Sequence, residues 1–181
     1  GNTTSGLGVD KNSQELTMYQ LMIGECQINE CLVHTQFERV DIIPSNVNLA
    51  GAEIDLIGTD KREYILKNAL STIKDKYDFI VLDCPPSLSI LTVNAMVAAD
   101  TVLVPIQCEY YALEGLSQLM HTINLVQSRL NPELKMEGVV FTMYDARTNL
   151  SLQVVENVRK YMQQFGIEDR IMEFDVSSAT V

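Results

Sequence analysis

Three short apolar runs, 79–82, 101–106 and 138–143, alternate with longer stretches of helical spacing, and this alternation narrows the folds open to the 181-residue chain. Short apolar runs bounded by turn formers read as strands buried on both faces. Strands separated by helices connect as right-handed βαβ units, which build a parallel sheet. The expected class is therefore α/β: a doubly wound, mostly parallel sheet flanked by helices. Helices are expected over 15–23, 49–57, 62–77, 91–98, 111–130 and 150–165. In 62–77, Ile65, Leu66, Ala69, Leu70 and Ile73 fall on one face; in 111–130, Leu116, Met120, Ile123 and Val126 do the same. Asn131-Pro132 ends the second of these, and Gly166 suits the C′ position of the last helix. Val40–Ile43 before Pro44 is a short strand, and the Gly- and Thr-rich segment Gly1–Lys11 reads as loop.

Composition sets limits on function. Hydrophobic residues make up 46% and charged residues 20%, as in soluble globular domains. No apolar run is long enough to span a bilayer, and no basic segment followed by an apolar one marks a secretory signal. A net charge of -11 argues against a broad nucleic-acid surface, although it leaves room for a local basic patch. Cys26, Cys31, Cys84 and Cys108 lack the spacing of a zinc site and read as reduced, mostly buried thiols of a cytosolic protein. His34 and His121 are isolated and fit surface or core-edge positions.

The chemistry-bearing stretch is 78–87. Its apolar run ends on Asp83, and Cys84-Pro85-Pro86-Ser87 follows. Proline cannot continue a central strand, so the strand should stop at Asp83, at the carboxyl end where open α/β sheets hold ligands. Mg²⁺ keeps several waters and takes few protein carboxylates, which makes Asp83 a Walker B candidate acting directly or through water. Taken alone, the same pattern fits an aspartate that caps the next turn. A phosphate loop of the form G-x-x-x-x-G-K-[ST] is absent, since no Gly in the chain precedes a Lys. Gly6-Leu7-Gly8-Val9-Asp10-Lys11 lacks both that ending and the third glycine of a dinucleotide fingerprint.

Several ordered segments go further. They are Gly1–Gly8, Asn48–Glu53, Asp83–Ser87, Leu91–Ala95, Val104–Leu116 and Asp145–Val154. Together they resemble the ParA/Soj family, partition ATPases of the deviant Walker A class related to MinD, from Gly1 to about Phe165. The resemblance implies a P-loop NTPase-like fold lacking the first strand and phosphate loop, which in the family lie upstream of the segment matching Gly1. It divides the chain into a partial ATPase domain, 1–165, and a tail, 166–181, that does not match. By the same resemblance Asp83 is the Mg²⁺-supporting Walker B residue, and Pro85, Pro86 and Ser87 form the switch loop. Glu109–Gly115 begins a helix near the dimer interface, although Tyr110 and Tyr111 could simply anchor that helix against the sheet. Arg147 matches an arginine used for non-specific DNA binding, against a plainer reading as a loop arginine paired with Asp145 or Glu156.

The implied function is a fragment of a chromosome or plasmid partition ATPase. The intact protein would bind ATP and Mg²⁺, dimerise with ATP, coat DNA in the cytoplasm at the nucleoid, and be stimulated by a ParB-type partner. This chain alone is expected not to hydrolyse ATP. The alternatives are a non-catalytic interaction module retaining dimer or partner surfaces, and a related cargo-positioning ATPase.

Overall fold

A computed structural model describes residues 2–85, 87, 89–145, 147–166 and 170–175. They form two compact units, 1–98 and 99–181.

The first unit is mostly short helices: α1 (Asn2–Gly6), α2 (Met18–Met22), α3 (Ile28–Cys31), α4 (Ala52–Asp55), α5 (Ile65–Ser71) and α6 (Ile90–Ala98). A two-stranded antiparallel ladder, β1 (Val33–His34) with β2 (Asp41–Ile42), replaces the longer strand expected at 40–43. Leu21, Met22, Ile28, Leu66, Leu70, Ile73 and Ala95 share one buried cluster. The helix expected over 62–77 is broken into α5 between two 3-10 turns, Arg62–Tyr64 and Lys74–Lys76. Its apolar face is nevertheless the buried one, because spacing reports the face and not the continuity of the backbone. The 49–57 stretch is likewise a 3-10 turn, Val47–Gly51, running into α4.

Asn94 organises this unit. Fully buried on α6, it accepts a hydrogen bond from the Leu66 backbone N–H at 3.1 Å, and its amide donates to the Arg62 and Ile90 carbonyls at 2.8 and 3.0 Å. One side chain thereby satisfies backbone groups at the start of α5, where a helix lacks internal partners.

Two further expectations fail in this unit. Gly1–Lys11 contains α1, held by tertiary contacts rather than by propensity: Thr4 is buried, and its Oγ1 accepts the Ser45 backbone N–H at 3.1 Å. The apolar run 79–82 is not a buried strand. It joins no ladder among the described residues, and Phe79 and Val81 are 87% and 88% exposed. Apolar residues become a buried strand only when a neighbour supplies both ladder and cover, and here only Leu82 among them packs on the core cluster.

The second unit is β3 (Thr101–Gln107), α7 (Ala112–Arg129), β4 (Lys135–Tyr144), α8 (Asn149–Gln163) and β5 (Ile171–Asp175). Its three strands are parallel in the order β3-β4-β5, with Val104 opposite Val139 and Val139 opposite Ile171. β4 is central, and its Val139 and Phe141 are fully buried. β3 was expected to be buried on both faces, but it alternates: Val104 and Ile106 are buried while Leu103, Pro105 and Gln107 are exposed. Pro105 is tolerated because β3 pairs on one side alone among the described residues.

Gly138 has a packing reason. A Cβ there would overlap the Arg170 carbonyl oxygen, which accepts the Val139 N–H at 3.0 Å. α7 buries Leu116, Met120, Ile123 and Val126 as its spacing predicts, and α8 buries Val154, Val155, Val158 and Met162. Asn131 closes the turn after α7 by donating its amide to the Ala99 carbonyl at 2.9 Å. Gly166 adopts a φ of 67°, the left-handed geometry that suits glycine after a helix. β5 falls in the 166–181 tail, whose sequence does not match the family; residues 176–181 lie outside the described residues.

Candidate functional site

Asp83 follows the run 79–82, which has no regular secondary structure, and is exposed. Its Oδ2 accepts a hydrogen bond from the Thr3 hydroxyl on α1, a partner eighty positions away in the chain. Nothing in the spacing of the sequence links the two residues, so Thr3 carries no signal of this contact beyond its place in the Gly1–Gly8 segment. The turn after Asp83 is tight, with the Ser87 N–H donating to the Pro85 carbonyl at 2.8 Å. Pro86, the middle of the expected switch loop, lies outside the described residues. Desolvation and then the adjacent Asp83 carboxylate raise the Cys84 thiol above its ordinary value. The site therefore presents hard oxygen donors, a carboxylate and a hydroxyl, beside a loop of proline and serine.

That donor set fits Mg²⁺ as one carboxylate of a largely water-coordinated ion. It does not fit a metal held by protein alone, since no group of three or more His, Cys, Asp or Glu residues is placed for one among the described residues. Asp83 is the residue that would hold the ion, and the ion would neutralise phosphate charge there.

Arg147 belongs to the second unit, in the loop between β4 and α8. It forms a two-pronged pair with Asp145: Nε donates to Oδ1 at 2.8 Å and Nη2 to Oδ2 at 2.9 Å. The Arg147 backbone N–H adds a third bond to Oδ1 at 2.9 Å. The guanidinium beside Asp145 pulls its carboxyl down to about 2. Yet the Arg147 side chain is 84% exposed, so the pair faces solvent. Glu156 is paired instead with Lys160, at 2.6 Å. Tyr110 and Tyr111 meet edge to face with ring centroids 5.1 Å apart, and both are largely exposed, so they do not anchor α7 against the sheet.

Comparison with known proteins gives this geometry a context. Residues 1–136 match the family model described as AAA domain. The chain is 52% identical over 163 residues to the sporulation initiation inhibitor protein Soj of Bacillus subtilis, covering 90% of this chain and 64% of that protein. It is 49% identical to the chromosome partitioning protein ParA of Myxococcus xanthus, covering 91% and 58% respectively. The chain thus spans about three fifths of the length of these relatives. A solved structure of cobyrinic acid a,c-diamide synthase from Mycobacterium smegmatis, with bound ATP analogue and magnesium, superposes with a TM-score of 0.84 at 39% identity, covering 88% of this chain and 65% of that one. The P-loop NTPase-like α/β fold follows, and the family model and the identity to Soj and ParA place this chain in the ParA/Soj family.

Proposed function

We propose that this polypeptide serves chromosome or plasmid partition as part of a nucleotide-switched, DNA-binding ATPase. The observation that carries the reading is the exposed Asp83 carboxylate at the end of the apolar segment 79–82, in a chain half identical to Soj. In that reading Asp83 supports Mg²⁺, and Pro85, Pro86 and Ser87 form the loop that senses the outer phosphate and couples it to dimerisation. Thr3 orients the carboxylate through its hydroxyl. Arg147 supplies a phosphate contact to DNA, and dimer symmetry would double it. A ParB-type protein would stimulate turnover, and action would take place in the cytoplasm at the nucleoid. No helix among the described residues is long and apolar enough to cross a membrane, which agrees with that setting.

Phosphoryl transfer rests on positioning and charge neutralisation by backbone amides, lysine and Mg²⁺. The 181 residues contain the carboxylate and no Gly-Lys phosphate loop. The expected result is therefore no ATP hydrolysis above background by the purified 181-residue chain. Mg²⁺-dependent turnover that disappears in Asp83→Ala would overturn this. The DNA arm is tested separately by filter retention of duplex DNA across a salt series. Binding that is absent at low salt, or unchanged in Arg147→Ala, would remove the partition reading's main contact.

A further inference from the structure

Cys26 and Cys31 lie outside the site described above, and their sulfurs stand 2.7 Å apart. A disulfide needs about 2.05 Å, so a small side-chain rotation would bring them into bonding range. Both thiols are free. The local fold holds them together. Gly24, at a φ of 80°, turns the chain out of α2. The Gln27 N–H is capped by the Glu30 carboxylate at 2.6 Å, and Lys76 donates to Asn29 at 3.0 Å. The two cysteines differ in access. Both belong to the buried core cluster, Cys31 at 1% exposure and Cys26 at 9%. Cys26 lines a cavity of about 270 Å³, whose floor includes Leu21 and Ile28 and whose rim includes the exposed Gln27, Asn68 and Thr72.

We propose that Cys26 and Cys31 are a reversible redox site that reacts with small neutral disulfides entering this cavity and closes to an intramolecular disulfide. Neutral reagents are favoured because the chain carries a net charge of -11, which repels acidic ones. Cys26 is the attacking sulfur. Burial, the hydrogen bond with Cys26 and the Cys26 charge push the Cys31 thiol up to about 12, so Cys31 stays protonated while Cys26 is free. The Cys26 thiolate attacks one sulfur of R–S–S–R. That S–S bond breaks, and the departing thiolate takes up the proton that Cys26 released. With Cys26 in a neutral mixed disulfide, its charge and hydrogen bond no longer raise Cys31, while burial, the larger cause, still does, so the proton leaves as the new bond forms. The Cys31 sulfur attacks Cys26 Sγ, and the second thiolate departs carrying the Cys31 proton. The protein loses two electrons and two protons, and one disulfide becomes two thiols.

The exposed Cys84 reacts on its own account, so the test uses the full chain carrying Cys84→Ser. It is treated with bis(2-hydroxyethyl) disulfide under native conditions, alkylated, and weighed intact. The expected product has lost two hydrogens, carries no alkyl group on Cys26 or Cys31, and regains both thiols with a dithiol reductant. Adding Cys31→Ser should trap the mixed disulfide on Cys26, whereas adding Cys26→Ser should leave Cys31 unmodified. The proposal fails if Cys26 and Cys31 both stay alkylatable after exhaustive treatment. It fails equally if the adduct on Cys26 accumulates with Cys31 intact and never resolves. Circular dichroism of each variant confirms that these outcomes come from folded protein.

Discussion

In the proposed DNA contact, the Asp145 carboxylate and a DNA phosphate would compete for the Arg147 guanidinium. A guanidinium engaged twice by a carboxylate must release it, or share it, to reach a phosphate. Replacing Asp145 with Asn should therefore strengthen non-specific DNA binding by about two- to fivefold, the scale of an exposed ion pair. Arg147→Ala should weaken it uniformly across sequences and lower the log-log salt slope by about 1. If both variants weaken binding alike, the pair serves loop structure rather than DNA.

A second residue-scale cluster has a pH signature. Tyr77 donates to Asp41 Oδ2 at 2.7 Å, and His34 Nδ1 lies 2.5 Å from Asp41 Oδ1. The hydrogen bond to Asp41 pushes the Tyr77 phenol from 10.0 up to about 12. A group whose folded value is raised contributes stability that is fully present below its unfolded value and is lost as pH rises through the folded one. Stability should thus decline between about pH 10 and pH 12, and Tyr77→Phe should flatten that decline in urea titrations at fixed pH. The Asp41 carboxyl is shifted the opposite way, lowered first by the Tyr77 hydrogen bond and then by His34. Its contribution is present above the ordinary carboxylate range and fades as acid protonates it.

At the scale of elements, two positions test how the units are pinned. Asn94→Ala removes three hydrogen bonds and strands the Leu66 N–H in the core, a change expected to cost about 2–3 kcal/mol in urea denaturation. Gly138→Ala places a methyl on the Arg170 carbonyl, so β4 and the chain entering β5 must separate. That should destabilise by about 1–3 kcal/mol, whereas Gly115→Ala, with open space at its Cβ, should be neutral or better.

The same elements show what the sequence could and could not reveal. α7 and α8 are legible because each repeats its period over many residues, and β4 because its apolar run at 138–143 finds a strand on each side. The β1–β2 ladder was not, since two residues per strand leave no period to read. Run 79–82 carried the composition of a buried strand, but composition cannot report whether a neighbour will pair with it. The role proposed for Asp83 rests on its motif. Its hydrogen-bond partner Thr3 has no such signal, because a contact across eighty positions has no local trace.

For the whole molecule, the exposed Phe79 and Val81 are the main liability. An exposed apolar segment that joins no ladder among the described residues is a template for association. The isolated 181-residue chain should self-associate as concentration rises in sedimentation velocity, and Val81→Lys should restore monomer. A monomeric chain with a sharp, cooperative, high-temperature melt would argue otherwise.

The parallel order β3-β4-β5 also has a consequence during synthesis. Thr101 pairs with Lys135, so β3 must wait for roughly 34 further residues to be made before its ladder can begin, on the order of 2–7 s at ribosomal speed. β4 waits for a similar stretch to reach β5. A parallel crossover cannot shorten that delay, because the helix between its strands must be made first. For those seconds Val104 and Ile106 stand on the nascent chain without partners, and Pro105 between them offers no N–H to a stray strand. Pro105 thus leaves a gap in the row of donors that β3 presents before β4 is made.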